Sequence, residues 1–536
     1  MNKKSKITIE KKPIEINSDF KRALNIIENS NNNVFITGKA GTGKSTLLDY
    51  FRSTTKKQIA VLAPTGVASI NVRGQTIHSF FGFKPDITIE KAKNLARKVK
   101  DKKLELYKRI SAIVIDEVSM VRADLLDCVD AYLKTCLKNK LPFGGKQMIL
   151  IGDLYQLPPV LGYREERAFL SKYESPYFFS AKIFDDLVLE FVELEKVYRQ
   201  KDEKFIKLLN AVRNRSVTDN DLAEFNKRLN VNFEPSLDDF YICLTPMNDS
   251  AREINEKKLK QLNTKEHFYE GKIFGDFDKN YLPTDKDLSV KIGSQIMLLN
   301  NDKHARWVNG TVAKIVDVEE NVGDYGEPAI IVELDNGSIE EILPYTWEIF
   351  HYDYDPNSRS LQTKVIGSFT QYPLKLAWAV TIHKSQGKTF DKVIIDMGRG
   401  AFAHGQTYVA LSRCTCLEGI VLKKPIIKNH IFLDWRVIKF LTKFQYKIGD
   451  NEQSQDEKIE LIAKAIKEKS ELEIIYLKAN DEKSKRIIQP KIMGQMQYMG
   501  VEYLGVSAFC LTRREDRTFR VDRILSVKHI ESTPKK

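Results

Sequence analysis

The sequence predicts an α/β protein built on parallel sheets, and two observations predict it. Short, continuously apolar runs recur, each stopping at a polar cluster: Val34-Phe35-Ile36-Thr37 before Gly38, Ile59-Ala60-Val61-Leu62 before Ala63-Pro64-Thr65-Gly66, Ile113-Val114-Ile115 before Asp116-Glu117, and Met148-Ile149-Leu150-Ile151 before Gly152-Asp153. Strands covered on both faces read this way, and ligands of such sheets gather at the carboxyl ends of the strands. The second observation is Gly38-Lys39-Ala40-Gly41-Thr42-Gly43-Lys44-Ser45, a glycine-rich turn between the first run and the amphipathic stretch Thr46–Phe51.

That turn is a cradle for a nucleoside triphosphate, with ATP the first expectation. Backbone N–H groups of Gly38, Ala40, Gly41, Thr42 and Gly43 curl around phosphate, Lys44 reaches its outer oxygens, and the Ser45 hydroxyl is placed to ligate Mg²⁺ at a helix N-terminus that continues through Thr46. Asp116, directly after a strand, is the expected second Mg²⁺ ligand, and Glu117 the base that orients the attacking water. Gln156, in Gly152–Pro159, lies where a neutral amide can sense the γ-phosphate.

A second alternation begins near residue 240, with Tyr241-Ile242-Cys243-Leu244, Gln295–Leu299 and Val393-Ile394-Ile395 as its strands. It predicts another α/β core, so that the triphosphate sits in a cleft between two units. Such a cleft needs cations from its far side, and Arg199 and Arg413 are the candidates. Two stretches interrupt the cores. Residues 84–107 form a lysine-rich helical insert, and residues 302–368 alternate as strands, with Asn336-Gly337 marking a hairpin between Ile330–Leu334 and Ile339–Leu343.

At 536 residues the chain is long enough for several domains. Its 85 basic against 72 acidic residues, net +13, favour a polyanionic partner. Six scattered cysteines offer neither a repeated CxxC pair nor a disulfide framework, which fits a reducing cytoplasm; no apolar signal core or membrane-spanning run is present.

Ala63-Pro64-Thr65-Gly66-Val67-Ala68, Thr76-Ile77-His78-Ser79-Phe80-Phe81, Gly152 to Pro159, and Leu194-Glu195-Lys196-Val197-Tyr198-Arg199-Gln200 together resemble the Pif-type DNA helicases of superfamily 1B, over roughly residues 16–440. Gln406–Arg413 resembles the last helicase motif, and Thr381-Ile382-His383-Lys384-Ser385-Gln386-Gly387 the motif coupling nucleotide to the DNA backbone. The resemblance implies two RecA-like cores (1–195 and 196–445), residues 84–107 as a strand-separating subdomain and 302–368 as an SH3-like β-barrel. It also implies Gly387 at the nucleotide and Pro64, Thr65, Gly66, His78, Thr245, Asn248, Thr381, His383, Lys384 and Ser385 on DNA. The implied activity is ATP-driven 5′→3′ translocation and unwinding by a soluble monomer at single-stranded DNA and its duplex junctions, in the cytoplasm or on the nucleoid, serving replication, repair, recombination or G-quadruplex maintenance. Rival readings keep the ATPase as a translocase that strips proteins, or as a ligand-sensing regulator. The family's adenine-reading glutamine would fall at Phe20. Phe80 and Phe81 read equally as base-stacking or core residues.

Residues 446–457 turn polar and read as a linker. Beyond it, residues 458–536 hold 17 basic and 11 acidic side chains. Tyr476, Arg486, Pro490, Glu502-Tyr503-Leu504 and Arg517–Ile524 resemble WYL domains, an α+β module with an Sm/SH3-like sheet. Arg486, Arg513, Arg517, Arg520 and Arg523 are its candidate groove for nucleic acid or a nucleotide-like ligand, against the alternative of arginines satisfied by neighbouring carboxylates.

Overall fold

The computed structural model describes residues 15–236, 239–278, 282–322, 326–355, 360–398, 400, 403–479, 482–498 and 500–530. They form two compact units: one comprises the chain to Leu209 with Thr218–Phe432, the other Leu433 onward with Asn210–Val217.

In the first unit, strands β1 Asn33–Gly38, β2 Ile59–Ala63, β3 Gln75–Thr76, β4 Ala112–Ile115, β5 Gln147–Ile151 and β6 Leu189–Leu194 make one parallel sheet in the order β3-β2-β4-β5-β1-β6. The continuous apolar runs are buried along their length, as a sheet covered on both faces requires. Helix Ser18–Asn29 is capped by the Asn17 carboxamide, which accepts the Phe20 N–H at 2.9 Å, and it packs Phe20, Ala23 and Ile27 against β1 and helix Lys44–Thr54. Phe20 is therefore a core residue. Phe80 and Phe81 are too: both are buried among Tyr107 and Tyr132, beneath the insert helices Ile89–Arg97 and Asp101–Arg109.

The second parallel sheet holds Ala379–Thr381, Ile242–Thr245, Val393–Ile395 and Ile420–Leu422, in that order. Gln295–Leu298, expected here, belongs instead to a five-stranded antiparallel sheet with Val312–Glu319, Ala329–Leu334, Ile339–Ile342 and Leu374–Leu376. Ile296 and Leu298 bury against Ile315, Val332 and Leu374, and an apolar run alone does not say which of two sheets will receive it. The β insert is thus wider than residues 302–368. It also includes the antiparallel pair Glu266–Glu270 with Asp287–Lys291, and the long hairpin Tyr345–Asp355 with Ser360–Gln371, whose second strand pairs with Lys272–Gly275. The hairpin at Asn336-Gly337 forms as expected, with Gly337 at φ +81°.

In the second unit, helices Trp435–Glu452 and Gln455–Glu468 precede a five-stranded antiparallel sheet: Glu515–Arg520, Val501–Cys510, Lys483–Tyr498, Leu472–Leu477 and Ile524–His529, in spatial order. The stretch 446–457 is not an open linker. Its first part completes a helix, whose Gly449 lies so close to Leu525 that an added Cβ would stand 2.9 Å from the Leu525 carbonyl. Ser454 then opens the next helix with a capping box to Glu457, and the Gln453 side chain exchanges hydrogen bonds with the Val527 backbone. The polar run is the solvent face and the caps of two helices. No helix among the described residues is long and apolar enough to cross a membrane.

Candidate nucleotide and nucleic-acid site

At the carboxyl end of β1 the chain makes a tight loop with Gly41 at φ +81° and Gly43 at φ +88°. A Cβ on Gly38 would stand 2.5 Å from Thr42 Oγ1 and 2.8 Å from the Leu194 carbonyl, and one on Gly41 would stand 2.4 Å from Arg199 Cβ. Glycine is needed here both for backbone conformation and for close approach. Lys44 Nζ donates to the Gly38 carbonyl at 2.7 Å and the Lys39 carbonyl at 3.1 Å, Thr42 closes the loop onto Lys39, and Ser45 and Thr46 are exposed at the helix start. The Ala40 N–H is bonded to Tyr408 Oη at 3.0 Å.

Asp116 and Glu117 follow β4, and Glu117 holds the left-handed conformation at φ +50°, a strained geometry for a side chain of its size. Burial and the adjacent Glu117 charge push the Asp116 carboxyl up to about 7, and burial raises Glu117 against the pull of Lys44. Gln156 is buried and donates to Asp153 Oδ2 at 3.1 Å, which holds its amide on the carboxylate whose charge acts on Glu117. Two buried acids side by side favour a bound divalent cation. No group of three acidic, His or Cys side chains capable of holding a metal occurs among the described residues.

The second core supplies the opposite wall. Arg413, 1% exposed, donates from Nε to the Val409 carbonyl, from Nη1 to the carbonyls of Ser385 at 3.3 Å and Lys388 at 3.2 Å, and from Nη2 to Ser412 Oγ. Arg199 donates to the carbonyls of Ser412 and Gly387, both at 3.3 Å, and Gln200 holds Ser412 and Cys414 in the same way. Burial first, then the Arg199 charge, draws Arg413 down to about 9, while Glu117 and Asp153 pull the other way. Both arginines thus rest on the backbone of one loop, Ser385–Lys388.

That loop follows Thr381, and its hydroxyls are already engaged. Thr381 Oγ1 accepts the Lys384 N–H, Ser385 Oγ donates to the Ile382 carbonyl, Thr245 closes a turn on Met247, and Thr65 caps the helix Gly66–Asn71. Lys384 and Gly387 are exposed, with open space around Gly387 at φ +75°. His78 and His383 are half-buried, and burial lowers both below the ordinary imidazole value, so they stay neutral near pH 7. Asn248 begins a helix behind Thr245, and Pro64 precedes Thr65 at the end of β2. Hydroxyls spent on caps hold these loops in shape, leaving lysine and backbone N–H groups to meet an anion.

Residues 15–222 match the PIF1-like helicase family, and residues 457–529 match the WYL domain. The chain is 32% identical to the ATP-dependent DNA helicase Pif1 of Bdellovibrio bacteriovorus, over 81% of this chain and 93% of that protein. The chain belongs to the Pif1 family. Bacteroides Pif1 in complex with ADP-AlF4 superposes with a TM-score of 0.74 at 36% identity, covering 81% of this chain and 98% of that one; Bacteroides Pif1 bound to ssDNA gives 0.58 with the same identity and coverage. As a Pif1-family protein it is an ATP-hydrolysing DNA helicase with a C-terminal WYL domain.

Two residues at this Pif1 site were not singled out from sequence. Tyr408 lies on the helix that presents Arg413, and a buried hydroxyl bonded to a loop 368 residues away leaves no sequence signal. Tyr198 precedes Arg199, bonds its N–H to the Gly41 carbonyl and leaves its ring exposed beneath Lys196, with Asn17 donating to its hydroxyl. The run Leu194–Gln200 is the sequence signal for it. In the WYL unit, Arg517 pairs with Glu515 at 2.5 Å and Arg520 with Asp522 at 2.6 Å, while Arg486 is buried; Arg513 and Arg523 make no ion pair among the described residues.

Proposed function

We propose that this Pif1-family chain moves 5′→3′ on single-stranded DNA and opens duplexes at their junctions, with ATP hydrolysis resetting its grip. The observation that carries the reading is the shared loop: Arg199 and Arg413, the cations facing the phosphate cradle, are hydrogen-bonded to the carbonyls of Ser385, Gly387 and Lys388 in the proposed DNA-binding segment. Guanidinium groups that turn from these carbonyls toward a γ-phosphate release the loop, and this links the nucleotide state to the hold on DNA.

In this reading Lys44 leaves its carbonyls for phosphate oxygens, Glu117 takes a proton from the attacking water, and Gln156 reports γ-phosphate through Asp153. Ser45 and Asp116 would hold a Mg²⁺, which would supply charge neutralisation for the phosphates. Tyr198 offers its exposed ring as a platform for the base, and Phe20, closed into the core, plays no part in reading it. His78, His383, Lys384 and the N–H groups around Pro64, Thr65, Gly66, Thr245, Asn248 and Ser385 hold the sugar-phosphate track without reading sequence. Family membership supports the polarity.

Strand separation on duplexes carrying either a 5′ or a 3′ single-stranded tail tests the proposal. Unwinding of the 5′-tailed substrate alone, lost in Lys44→Ala, is the expected result. Equal unwinding of both tails overturns the polarity, and ATP turnover indifferent to single-stranded DNA overturns the coupling.

A further inference from the structure

Lys388 closes the loop that both cleft arginines hold, and its ammonium does something none of the motif residues does. Its Nζ donates to Asn309 Oδ1 at 2.5 Å, and Asn309 Nδ2 in turn donates to Asn71 Oδ1 at 3.2 Å. Asn71 ends the helix that Thr65 caps in the first core, and Asn309 lies on a turn of the β insert. One amide therefore ties together three parts of the chain, two of them carrying segments proposed to hold DNA.

The surroundings of this bridge are mainly cationic; the Asp285 carboxylate acts on Lys375 but makes no ion pair with it among the described residues. Lys375 lies on the strand Leu374–Leu376, paired opposite Met297. Because Leu374 and Leu376 face the apolar core of the insert, the pleat turns Lys375 to the other side of the strand. The neighbouring Leu298 carbonyl accepts the Gly310 N–H, and a Cβ on Gly310 would touch the Lys388 side chain at 3.4 Å. Burial, then the Lys384 charge, draws Lys375 down to about 8 against the opposing pull of Asp285; burial, then the Lys375 charge, draws Lys388 down to about 7. None of the three lysines makes an ion pair among the described residues. The carboxylate on the adjacent turn, Asp302, is already taken by Arg306 at 2.8 Å.

Partly buried ammonium groups held together without an ion-paired carboxylate destabilise a fold unless an anion completes them. We infer that Lys375 and Lys388, steered by Asn309, form a seat for a backbone phosphate of the bound strand, between the Thr65 and Thr381 segments. The inference rests on the DNA-binding reading above and adds residues to it. Nucleotide phosphate is the other source of the same anion. The placement favours DNA, because the bridge runs to Asn71 on the helix proposed to face DNA, and among the described residues no hydrogen bond joins either lysine to the Gly38–Ser45 loop.

The test is equilibrium binding of a labelled oligothymidine to the full chain, by fluorescence anisotropy across a range of salt concentrations. For single strands each lost phosphate contact lowers the slope of log K against log salt by ~0.7. Lys388→Met and Lys375→Met are each expected to weaken binding several-fold and to flatten the slope by about that amount, equally for other base sequences; Lys388→Arg keeps the slope. Asn309→Asp, which keeps both lysines but gives Lys388 a carboxylate, is expected to act like Lys388→Met, so the inference is testable even if a lysine variant folds poorly. Wild-type slopes in Asn309→Asp and in a folded Lys388→Met overturn the phosphate seat while leaving the DNA reading intact. A wild-type chain that binds no oligothymidine removes the DNA reading itself. Weakened binding of a non-hydrolysable ATP analogue in the absence of DNA, with an unchanged DNA slope, assigns the anion to the nucleotide and overturns the inference.

Discussion

Arg199 and Arg413 of the cleft hydrogen-bond to backbone carbonyls and one serine hydroxyl, whereas Arg517 and Arg520 of the WYL unit each sit on a carboxylate two residues away. A carbonyl partner satisfies the N–H groups of a guanidinium but leaves its charge uncancelled. A carboxylate partner removes both demands, and a phosphate must then compete with it. The same side chain is poised for an anion in one region and quieted in the other. In a chain with an excess of basic residues, an arginine that makes no ion pair, as Arg413 makes none even with Glu117 and Asp153 acting on it, is a better candidate for an anion than a paired one.

The largest effect expected from this contrast is on ATP turnover. Arg413→Ala and Arg199→Ala should each lower DNA-stimulated kcat by ~10³–10⁵, the range for losing a cation that stabilises a transferring phosphoryl group. Arg517→Ala and Arg520→Ala should leave kcat within about twofold, as a paired surface arginine contributes little. Comparable losses in both sets, measured by steady-state turnover with saturating single-stranded DNA, would break the comparison.

Next in size is Glu117→Gln, which keeps the shape and removes the base, with an expected loss of ~10²–10⁴ in kcat. Because burial raises the Glu117 carboxyl, its protonated and inactive form persists to higher pH than for an ordinary carboxylate. Turnover by the native chain should therefore climb with pH through a range above the usual carboxylate values, and this acid limb should vanish in the glutamine variant. A pH profile of kcat that is already flat at pH 5 would mean that water is activated elsewhere.

The sequence made the first core legible because each apolar strand stops at a polar cluster, so Gly38–Ser45, Asp116-Glu117 and Gln156 fall at one edge of one sheet. The second core was harder: Gln295–Leu298 is as apolar as Ile242–Thr245, and only long-range pairing sends it to the insert. The supposed linker misled because a polar run reads alike as loop and as the wet face of a helix. Nothing in the sequence singles out Lys375 or Lys388; the bridge that places Lys388 forms only once Asn309 and Asn71 meet across 238 residues. Phe20 stood out as a missing glutamine, yet its ring lies 3.2 Å from where a Gly43 Cβ would be. Phe20→Ala should lower unfolding free energy by ~3–5 kcal/mol, read from urea unfolding, as for other large aromatic truncations in a core.

The smallest effects sharpen the contrast from its quieter side. Arg520 pairs with Asp522 across partly exposed side chains, 33% and 49% accessible, and stacks 5.0 Å from the centre of the Tyr503 ring. Removing it in Arg520→Ala should cost about 0.2–1 kcal/mol of stability and leave single-stranded DNA affinity unchanged, because its charge is already matched. Arg486 is different: it is 9% exposed and makes no ion pair among the described residues. By the rule drawn from the cleft, Arg486→Ala should weaken any anion binding by this domain more than Arg520→Ala does, and Asp522→Ala, by unmasking Arg520, should strengthen it. Anisotropy with a labelled single strand orders the three variants. If Arg520→Ala weakened binding as much as Arg486→Ala, a nearby carboxylate would not silence an arginine in this fold, and exposure rather than charge pairing would decide which arginines meet the strand.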